Sequence, residues 1–400
     1  MQSNIGLRAR QLFFSVVMGL LPNTQQKIFG FGKLLAVGNL FEHQDFSKVL
    51  LVTTPGMVKR GVLDRLLSDL TQRKIEAHIF DEVMPDPTDE CAMACAQRYN
   101  KGGCQAIVAI GGGSVIDCAK IAGALVVNPG KSVTDISGSM RVAKHLPYFI
   151  AVPTTAGTGS EVTAGAVITN AQEHFKHPVN DPHLVPDVAI LDPQLTLGMP
   201  AKLTAYTGID ALSHAVEAYT NRFSQQKTRH AARQAIQTIF ANLPQAYENG
   251  LDIQARAALL EASYDAGYAI THNYVGYIHA ISHAIGALYE LPHGYINAIL
   301  MPHVLRAYGS AVDISLAELA QCAGVSKTGA SDKDNATAFI TALEKLTVQF
   351  GIPHVLEELS KKDFELIAQR ALAEGNPTYP VPVIWNKQDV IGVLEAVACG

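Results

Sequence analysis

Residues 106–120 read AIVAIGGGSVIDCAK and combine an apolar run, three glycines and the start of a helical pattern. An apolar run without alternation is typical of a strand buried on both faces of a parallel sheet. Glycines let the backbone approach a ligand, and a helix N-terminus offers free N–H groups to phosphate. The spacing is not that of a GxGxxG loop, so a phosphate site and a tight strand–helix turn both remain open.

Apolar runs of the same kind recur on either side of this stretch and predict a parallel sheet. We expect further strands at 48–54, 76–83, 148–155 and 188–192, separated in part by helices at 57–73, 88–101 and 114–127. Strand–helix alternation of this kind predicts an α/β domain with helices on both faces of the sheet.

The pattern changes near residue 200 and becomes almost entirely helical. We expect helices at 201–220, 225–247, 253–271 and 276–289, and a proline-rich loop at 374–385 before a last helix. The sequence therefore predicts a helical N-terminal extension (1–28), an α/β dinucleotide-binding domain (29–200) and an all-helical metal-binding domain (201–400).

Composition excludes several classes of protein. The 400 residues carry 31 basic and 36 acidic side chains, a net charge of −5 that gives no electrostatic footprint for nucleic acid. No apolar run reaches the ~18 residues of a membrane span. Arg8 and Arg10 precede an uncharged run from Leu12 to Leu21, which predicts a surface helix, with targeting or weak membrane contact as the alternative. Six cysteines without CxxC spacing indicate free thiols in a reducing, cytoplasmic protein.

A second loop, VPTTAGTGSEVT at 152–163, follows another predicted strand. Thr154, Thr155 and Thr158 surround its glycines. Hydroxyls and open N–H groups at the carboxyl end of a parallel strand suit a ribose or amide ligand. An ordinary polar turn is the alternative.

Two segments of the helical half place acidic and imidazole side chains four residues apart. TGIDALSHAVEAY (207–219) contains Asp210 and His214, and HAISHAIGALYELPHG (279–294) contains His279 and His283, with His293 close behind. Residues at i and i+4 share one face of a helix. A single pair is more often packing, but two pairs plus a third histidine indicate a divalent metal site. One Asp and three His complete a four-ligand shell, so one histidine is spare.

Taken together, GGGSVIDCAK, VPTTAGTGSEVT, TGIDALSHAVEAY and HAISHAIGALYELPHGYINAILMPHV resemble the iron-containing (group III) alcohol dehydrogenase family, from about Phe29 to near the C-terminus. The resemblance implies a dehydroquinate synthase-like architecture with the active site in the cleft between the two domains. It implies hydride transfer between a small alcohol or aldehyde and NAD or NADP, with a metal acting as a Lewis acid. A homodimer or larger homo-oligomer is also expected. A dehydroquinate synthase-like enzyme and a metal-independent reductase of the same superfamily are the alternatives.

The resemblance also assigns residues. The implied metal ligands are Asp210, His214, His279 and His293, for Fe²⁺ or, alternatively, Zn²⁺. His283 is the spare histidine, implied to face substrate and to relay its proton. The implied cofactor contacts are Gly112, Gly113, Ser114 and Asp117 at the pyrophosphate, and Thr154, Thr155, Thr158 and Lys176 at the nicotinamide and its ribose.

Departures from the family pattern bear on specificity. Thr54 ends the first predicted strand, where several NAD-preferring relatives carry Asp, and Asp86 replaces the more usual Asn. A carboxylate at that strand end binds ribose hydroxyls and repels a 2′-phosphate, so we expect NADP(H) to be accepted at least comparably to NAD(H). Lys59 and Arg60 follow nearby, although a solvated helix face is the alternative for them. Tyr274 stands where relatives often have Gly, which bears on the substrate.

Overall fold

A six-stranded sheet organises the first half of the chain. In a computed structural model that describes residues 4–20, 24–170 and 175–398, the strand order is β1-β9-β6-β4-β2-β3, and all neighbouring pairs are parallel. A second sheet of three strands has the order β5-β8-β7. The strands are β1 Gln26–Phe29, β2 Lys48–Val52, β3 Glu76–Phe80, β4 Ala106–Gly111, β5 Gly138–Ser139, β6 Tyr148–Pro153, β7 Gly165–Asn170, β8 Phe175–Asn180 and β9 Val188–Leu191.

Helices cover this sheet and make up nearly all of the second half. They are α1 Asn4–Gly19, α2 Ala36–Gln44, α3 Pro55–Lys59, α4 Asp64–Gln72, α5 Asp89–Gly102, α6 Gly113–Val127, α7 Val133–Ile136, α8 Ala201–Thr220, α9 Gln226–Glu248, α10 Ile253–Asn273, α11 Tyr277–Tyr289, α12 His293–Tyr308, α13 Asp313–Cys322, α14 Asp332–Gln349, α15 Phe364–Thr378 and α16 Lys387–Val397. The expected fold class, a parallel α/β domain followed by a helical domain, is confirmed.

The central strands are apolar throughout because both faces of the sheet are buried. Leu50 and Val52 of β2 point into one hydrophobic cluster, and Val49 and Leu51 point into the other. Successive side chains of a strand alternate between faces, so continuous apolar runs are what a sheet covered on both sides requires.

The chain separates into two compact units, one of residues 22–198 and one that joins 1–21 to 199–400. Strand β1 begins at Gln26 and pairs with β9, so the expected start of the α/β domain at residue 29 falls inside a strand of the sheet. The sequence did not predict this strand because it has only four residues, most of them exposed, and lies at the edge of the sheet.

Helix α1 lies on the helical unit, against α10 and α15. It turns polar side chains inward: Gln11 and Ser15 are buried, and Gln11 Nε2 donates to the carbonyl of Asn376 at 3.0 Å. The Arg8 guanidinium donates to the carbonyls of Val381 and Pro382 at 2.6 and 3.0 Å. Among the described residues, no helix is long and apolar enough to cross a membrane.

Two local expectations are wrong, and two strands were not expected. The predicted helix 57–73 is two helices, α3 and α4, because its apolar periodicity runs on through the turn that divides them. The predicted loop 374–385 begins with helix, since α15 continues through Pro377 to residue 378 and a late proline removes only one helical hydrogen bond. The sequence analysis did not predict β7, whose apolar run of three residues is short, or β8, which contains polar residues and a proline.

Candidate metal centre and cofactor loops

Three helices of the helical unit bring the predicted metal ligands together. Asp210 and His214 lie on α8, His279 lies on α11, and His293 begins α12. The Nε2 atoms of His293, His279 and His214 lie 3.4, 3.6 and 4.0 Å from Asp210 Oδ1. Atoms held about 2.1 Å from a tetrahedral ion lie about 3.4 Å from one another, so these separations suit one shared ion. The tightest group is Asp210, His279 and His293, whose ligand atoms lie within 4.8 Å of one another.

Close packing of α12 on α8 is what places His293 beside Asp210. A Cβ added to Gly294 would lie 2.1 Å from the Tyr206 carbonyl oxygen, so only glycine allows this approach. Asp210, His214 and His279 are buried, whereas the His293 side chain is 31% exposed. The cluster therefore reaches solvent at His293.

The electrostatics of this cluster favour a cation. Burial raises the pKa of the Asp210 carboxyl, but the neighbouring charges on His214, His293 and His279 outweigh burial and the net shift is downward. Burial lowers the pKa of His279, whereas Glu217 and Asp210 raise it more, to about 9. The buried carboxylates thus favour a positive charge on the His279 imidazole, and a divalent ion would supply that positive charge instead. Carboxylate oxygen and imidazole nitrogen are donors that Fe²⁺ and Zn²⁺ accept, so the residues present fit such an ion.

Glu217, which the sequence analysis missed, orients one of these histidines. Its Oε2 accepts a hydrogen bond from His279 Nδ1 at 2.5 Å, and its Oε1 accepts one from the Ile278 backbone N–H at 2.7 Å. A carboxylate on the far ring nitrogen fixes the tautomer of a metal-binding histidine, with Nε2 left for the metal. Glu217 lies seven residues after Asp210 on α8, and that helical spacing was the signal available in the sequence.

Asn297, also missed, lies at the centre of the cluster. It is fully buried on α12, one turn after His293. Its Nδ2 lies 2.8 Å from Asp210 Oδ1, 3.1 Å from His293 Nε2 and 3.3 Å from His279 Nε2. The Asn297 amide therefore contacts three of the four predicted ligands.

His283 lies beside the predicted ligands rather than among them. Its ring stacks on His293 with centroids 5.0 Å apart, and its Nδ1 is hydrogen-bonded to Glu374 Oε1 at 2.7 Å. His283 lies one helical turn from His279 on α11, and its role as a non-ligand histidine next to a metal site stays a prediction.

The predicted cofactor loops lie together at the carboxyl ends of neighbouring strands of the six-stranded sheet, in the other unit. Strands β2, β4 and β6 are parallel neighbours, so their carboxyl ends lie together. The backbone N–H of Thr154 donates to the carbonyl of Gly111 at 2.9 Å, which ties the end of β6 to the end of β4. A Cβ on Gly112 would lie 3.2 Å from Thr155 Cγ2, and one on Gly113 would lie 2.6 Å from Thr158 Cγ2. The two loops therefore touch at glycines.

Ser114 and Asp117 both lie on α6, but only Ser114 lies in its first turn, next to these glycines. The Asp117 carboxylate accepts hydrogen bonds from the Ser160 hydroxyl and, at 2.9 Å, from the Val167 backbone N–H. Both of its oxygens are thus engaged by the chain, and burial raises its pKa. This side chain therefore holds the loop at Ser160 and strand β7 next to α6, and its expected contact with the pyrophosphate stays a prediction.

Thr54, Asp86 and Lys176, also predicted to contact the cofactor, are held by hydrogen bonds within the chain. Thr54 caps helix α3, and its Oγ1 accepts from the Met57 N–H at 3.3 Å. Lys176 Nζ lies 2.9 Å from Asp86 Oδ1, which joins the two residues in one ion pair. Asp86 has a positive φ of 49°, a conformation that Asn and Asp tolerate better than most residues.

A Gly-rich edge of a parallel sheet and a buried Asp–His cluster are together typical of metal-dependent nicotinamide dehydrogenases. Comparison with known families supports this class. Residues 24–193 match the model of the iron-containing alcohol dehydrogenases, and residues 204–398 match the C-terminal model of the same family.

Individual relatives match over nearly the whole chain. The chain is 39% identical over 380 residues to a 1,3-propanediol dehydrogenase of Klebsiella pneumoniae, covering 94% of this chain and 97% of the relative. It is 36% identical over 370 residues to an NAD-dependent methanol dehydrogenase of Bacillus methanolicus, covering 92% and 97%. A crystal structure of a 1,3-propanediol oxidoreductase superposes with a TM-score of 0.89 at 38% identity, covering 94% and 98%.

The chain therefore belongs to the iron-containing alcohol dehydrogenase family. It is an oxidoreductase, an alcohol dehydrogenase of a family that uses NAD(P) and a divalent metal. These matches support neither the dehydroquinate synthase-like alternative nor the metal-independent reductase.

Proposed function

We propose that this enzyme interconverts small primary alcohols and their aldehydes, with Fe²⁺ as its metal and NADP(H) accepted at least as well as NAD(H). The observation that carries the proposal is the convergence of three histidine Nε2 atoms on Asp210 Oδ1 at 3.4 to 4.0 Å. The names of the methanol and propanediol relatives support small primary alcohols and diols as the substrate class.

Asp210, His214, His279 and His293 would hold the ion. When bound, it would polarise the alcohol oxygen as a Lewis acid, and Zn²⁺ could replace Fe²⁺ because this donor set accepts both. Glu217 keeps the Nε2 lone pair of His279 directed into the cluster, because the carboxylate can only accept the proton on Nδ1.

His283 would take the proton that the alcohol loses and pass it toward solvent. Its side chain is 22% exposed and lies against His293, which suits a group that exchanges protons with both the site and water. General acid–base residues of this kind contribute roughly 10²–10⁴-fold to turnover. When bound, the nicotinamide cofactor would supply the hydride-transfer chemistry.

Cofactor selection would depend on Thr54. Thr54, two residues beyond β2, carries a hydroxyl where a carboxylate would repel a 2′-phosphate, and Arg60 follows at the other end of the short helix α3. A Cβ on Gly56 would lie 3.5 Å from Arg60 Nη1 and 3.9 Å from Thr54 Oγ1, so the guanidinium and the hydroxyl flank the same glycine. This pairing supports binding of NADP(H).

Metal analysis tests the ligand set directly. Asp210→Ala and His279→Ala should lose nearly all bound metal after reconstitution with Fe²⁺ or Zn²⁺. His303→Ala, on the same helix as His293 but outside the cluster, is the matched control and should keep it. Full occupancy in both test variants would refute the assignment.

A substrate panel tests the activity. Initial rates with methanol, 1-propanol, 1-butanol and 1,3-propanediol are compared for both cofactors on enzyme reconstituted with defined metals. A panel with no activity on any primary alcohol would overturn the substrate class, and wild-type enzyme that rejects NADPH would overturn the cofactor proposal.

We also propose a cytoplasmic homo-oligomer, a dimer or larger. Five cysteines among the described residues are free thiols, which supports a reducing compartment. Light scattering on purified enzyme tests the assembly state, and a monomer would contradict it.

A further inference from the structure

A carboxylate and a phenol outside the predicted site lie directly behind His283. His283 Nδ1 and the Tyr379 hydroxyl are each hydrogen-bonded to the same atom, Glu374 Oε1, at 2.7 Å. Glu374 lies on α15, which packs on α11 where His283 lies, and Tyr379 follows the end of α15. One oxygen therefore joins the candidate proton-transfer histidine to a buried phenol.

The protonation of this group follows from the chemistry of its members. An ionised carboxylate only accepts hydrogen bonds, so the proton of a neutral His283 ring is on Nδ1 and its Nε2 carries the free lone pair. The Tyr379 hydroxyl must also donate. Burial and the Glu374 carboxylate raise the pKa of Tyr379 well above its usual range, so this hydroxyl keeps its proton.

We infer that Glu374 and Tyr379 are positioning residues for His283, which hold its ring in the tautomer and orientation that leave Nε2 free to accept the alcohol proton. The inference rests on the proton-transfer role proposed above for His283. When Nε2 accepts that proton, the imidazolium faces the Glu374 carboxylate through Nδ1, so the new charge is formed beside an existing partner. Tyr379 holds the same carboxylate oxygen in place with a second hydrogen bond.

The segment that carries Tyr379 is itself held by the N-terminal helix. Gln11 and Arg8 of α1 donate to backbone carbonyls at 376, 381 and 382, on both sides of Tyr379. The Asn376 side chain accepts a hydrogen bond from the Tyr277 hydroxyl and donates to the Trp385 carbonyl. The extension that lies outside the family resemblance therefore holds the backbone on both sides of Tyr379.

Kinetics of three variants test the inference. Glu374→Leu removes both hydrogen bonds, Glu374→Gln keeps an acceptor oxygen without the charge, and Tyr379→Phe removes one donor. We expect Glu374→Leu to lower kcat by about 10- to 100-fold, part of the roughly 10²–10⁴-fold that a general base contributes, while KM and metal content stay unchanged. Glu374→Gln should recover part of the loss, and Tyr379→Phe should lie between the two.

Isotope effects separate a proton-transfer defect from general damage. If proton transfer slows, the solvent isotope effect on kcat rises in Glu374→Leu and the primary isotope effect from a deuterated alcohol falls. The matched control is Asp363→Leu, which removes a 2.6 Å hydrogen bond from the Tyr289 hydroxyl of α11 to a carboxylate at the start of α15. The control should leave kcat and both isotope effects unchanged.

A double mutant identifies what Glu374 acts through. In a His283→Ala background, Glu374→Leu should cause no further loss of kcat, because its effect passes through the absent ring. A fully additive loss, wild-type kcat in Glu374→Leu, or loss of metal from that variant would each overturn the inference. Wild-type turnover in His283→Ala would instead overturn the proposed role of His283 and the inference with it. If Glu374→Leu does not fold, Glu374→Gln and Tyr379→Phe answer the same questions.

Discussion

Replacing Glu217 with Gln should weaken metal binding without removing any metal ligand. The two oxygens of Glu217 accept from two different donors, His279 Nδ1 at 2.5 Å and the Ile278 N–H at 2.7 Å. A glutamine has only one oxygen. If its oxygen stays on Ile278, its NH₂ faces Nδ1 and forces the His279 proton onto Nε2, the atom that should bind metal. If the amide turns over, two donors oppose each other in a site where Glu217 is only 2% exposed.

Two independent estimates give the size of this effect. Loss of a buried hydrogen bond to a charged group is worth about 1.5–3 kcal/mol. Substitution of a residue that orients a metal-binding histidine weakens metal affinity by about 10- to 100-fold, which corresponds to about 1.4–2.8 kcal/mol. The estimates agree, so we expect a Kd raised by one to two orders of magnitude.

Competition between the apoenzyme and a chromophoric chelator for Zn²⁺ or Co²⁺ measures this change, with the metal-dependent rise in Tm as a second readout. Glu318→Gln is the matched control, because Glu318 accepts from the Tyr219 hydroxyl of α8 at 2.5 Å but contacts none of the predicted ligands. A folded Glu217→Gln protein with the wild-type Kd would refute the reasoning.

Three further changes have clear expected outcomes. Thr54→Asp should shift the kcat/KM ratio toward NAD(H) by about tenfold or more, since each 1.4 kcal/mol of restored repulsion is a factor of ten; an unchanged ratio would make Asp86 the next candidate. Replacing Arg8 and Gln11 together with Ala should lower Tm and speed amide exchange at 376–382, because three hydrogen bonds to that segment are lost; unchanged exchange would contradict the role of α1. Tyr274 has φ 56° and ψ 174°, a region used almost only by glycine at a cost of about 1–3 kcal/mol. Tyr274→Gly should release this strain and raise kcat/KM for branched relative to linear alcohols, and an unchanged preference would place the substrate elsewhere.

The sheet could be predicted because burial on both faces leaves a simple signature. The five strands expected from apolar runs all occur, and the run at 48–54 corresponds to β2 at Lys48–Val52. Strands that are buried on one face only, or on neither, lack this continuous apolar run. Strand β1 is exposed at an edge, and β8 contains Pro178, which interrupts the strand pattern.

The candidate metal centre could be predicted where its residues form pairs four positions apart on one helix. Asp210 and His214 face one side of α8 because they are four residues apart, and His279 belongs to a second pair on α11. Glu217 shares that periodic face, but the histidine it is hydrogen-bonded to, His279, lies on another helix, α11. Asn297 carries no charge, and amides have no distinctive metal-site spacing, so only the packing of α12 on α8 reveals its place.

The contacts to His283 depend on a segment that local patterns misassign. Glu374 lies in the stretch expected to be a loop, whereas it belongs to the last turns of α15. Helix geometry directs its carboxylate back onto α11, and the chain that leaves the helix returns Tyr379 to the same oxygen. Pro377, three residues after Glu374, favoured the prediction of a loop, although this proline removes only one backbone hydrogen bond of the helix.

The geometry of the candidate metal centre depends on helix packing at Gly294 and Tyr206, which are not among the predicted ligands. Any side chain at 294 would meet the Tyr206 carbonyl at 2.1 Å and push the start of α12 away from α8. Since His293 is the residue immediately before, such a shift would also move its ring away from Asp210, which lies one helical turn beyond Tyr206. Interiors packed at crystal-like density transmit a displacement of this size rather than absorbing it. The distances of 3.4 to 4.0 Å between the histidine Nε2 atoms and Asp210 Oδ1 therefore depend on the close backbone contact between α12 and α8.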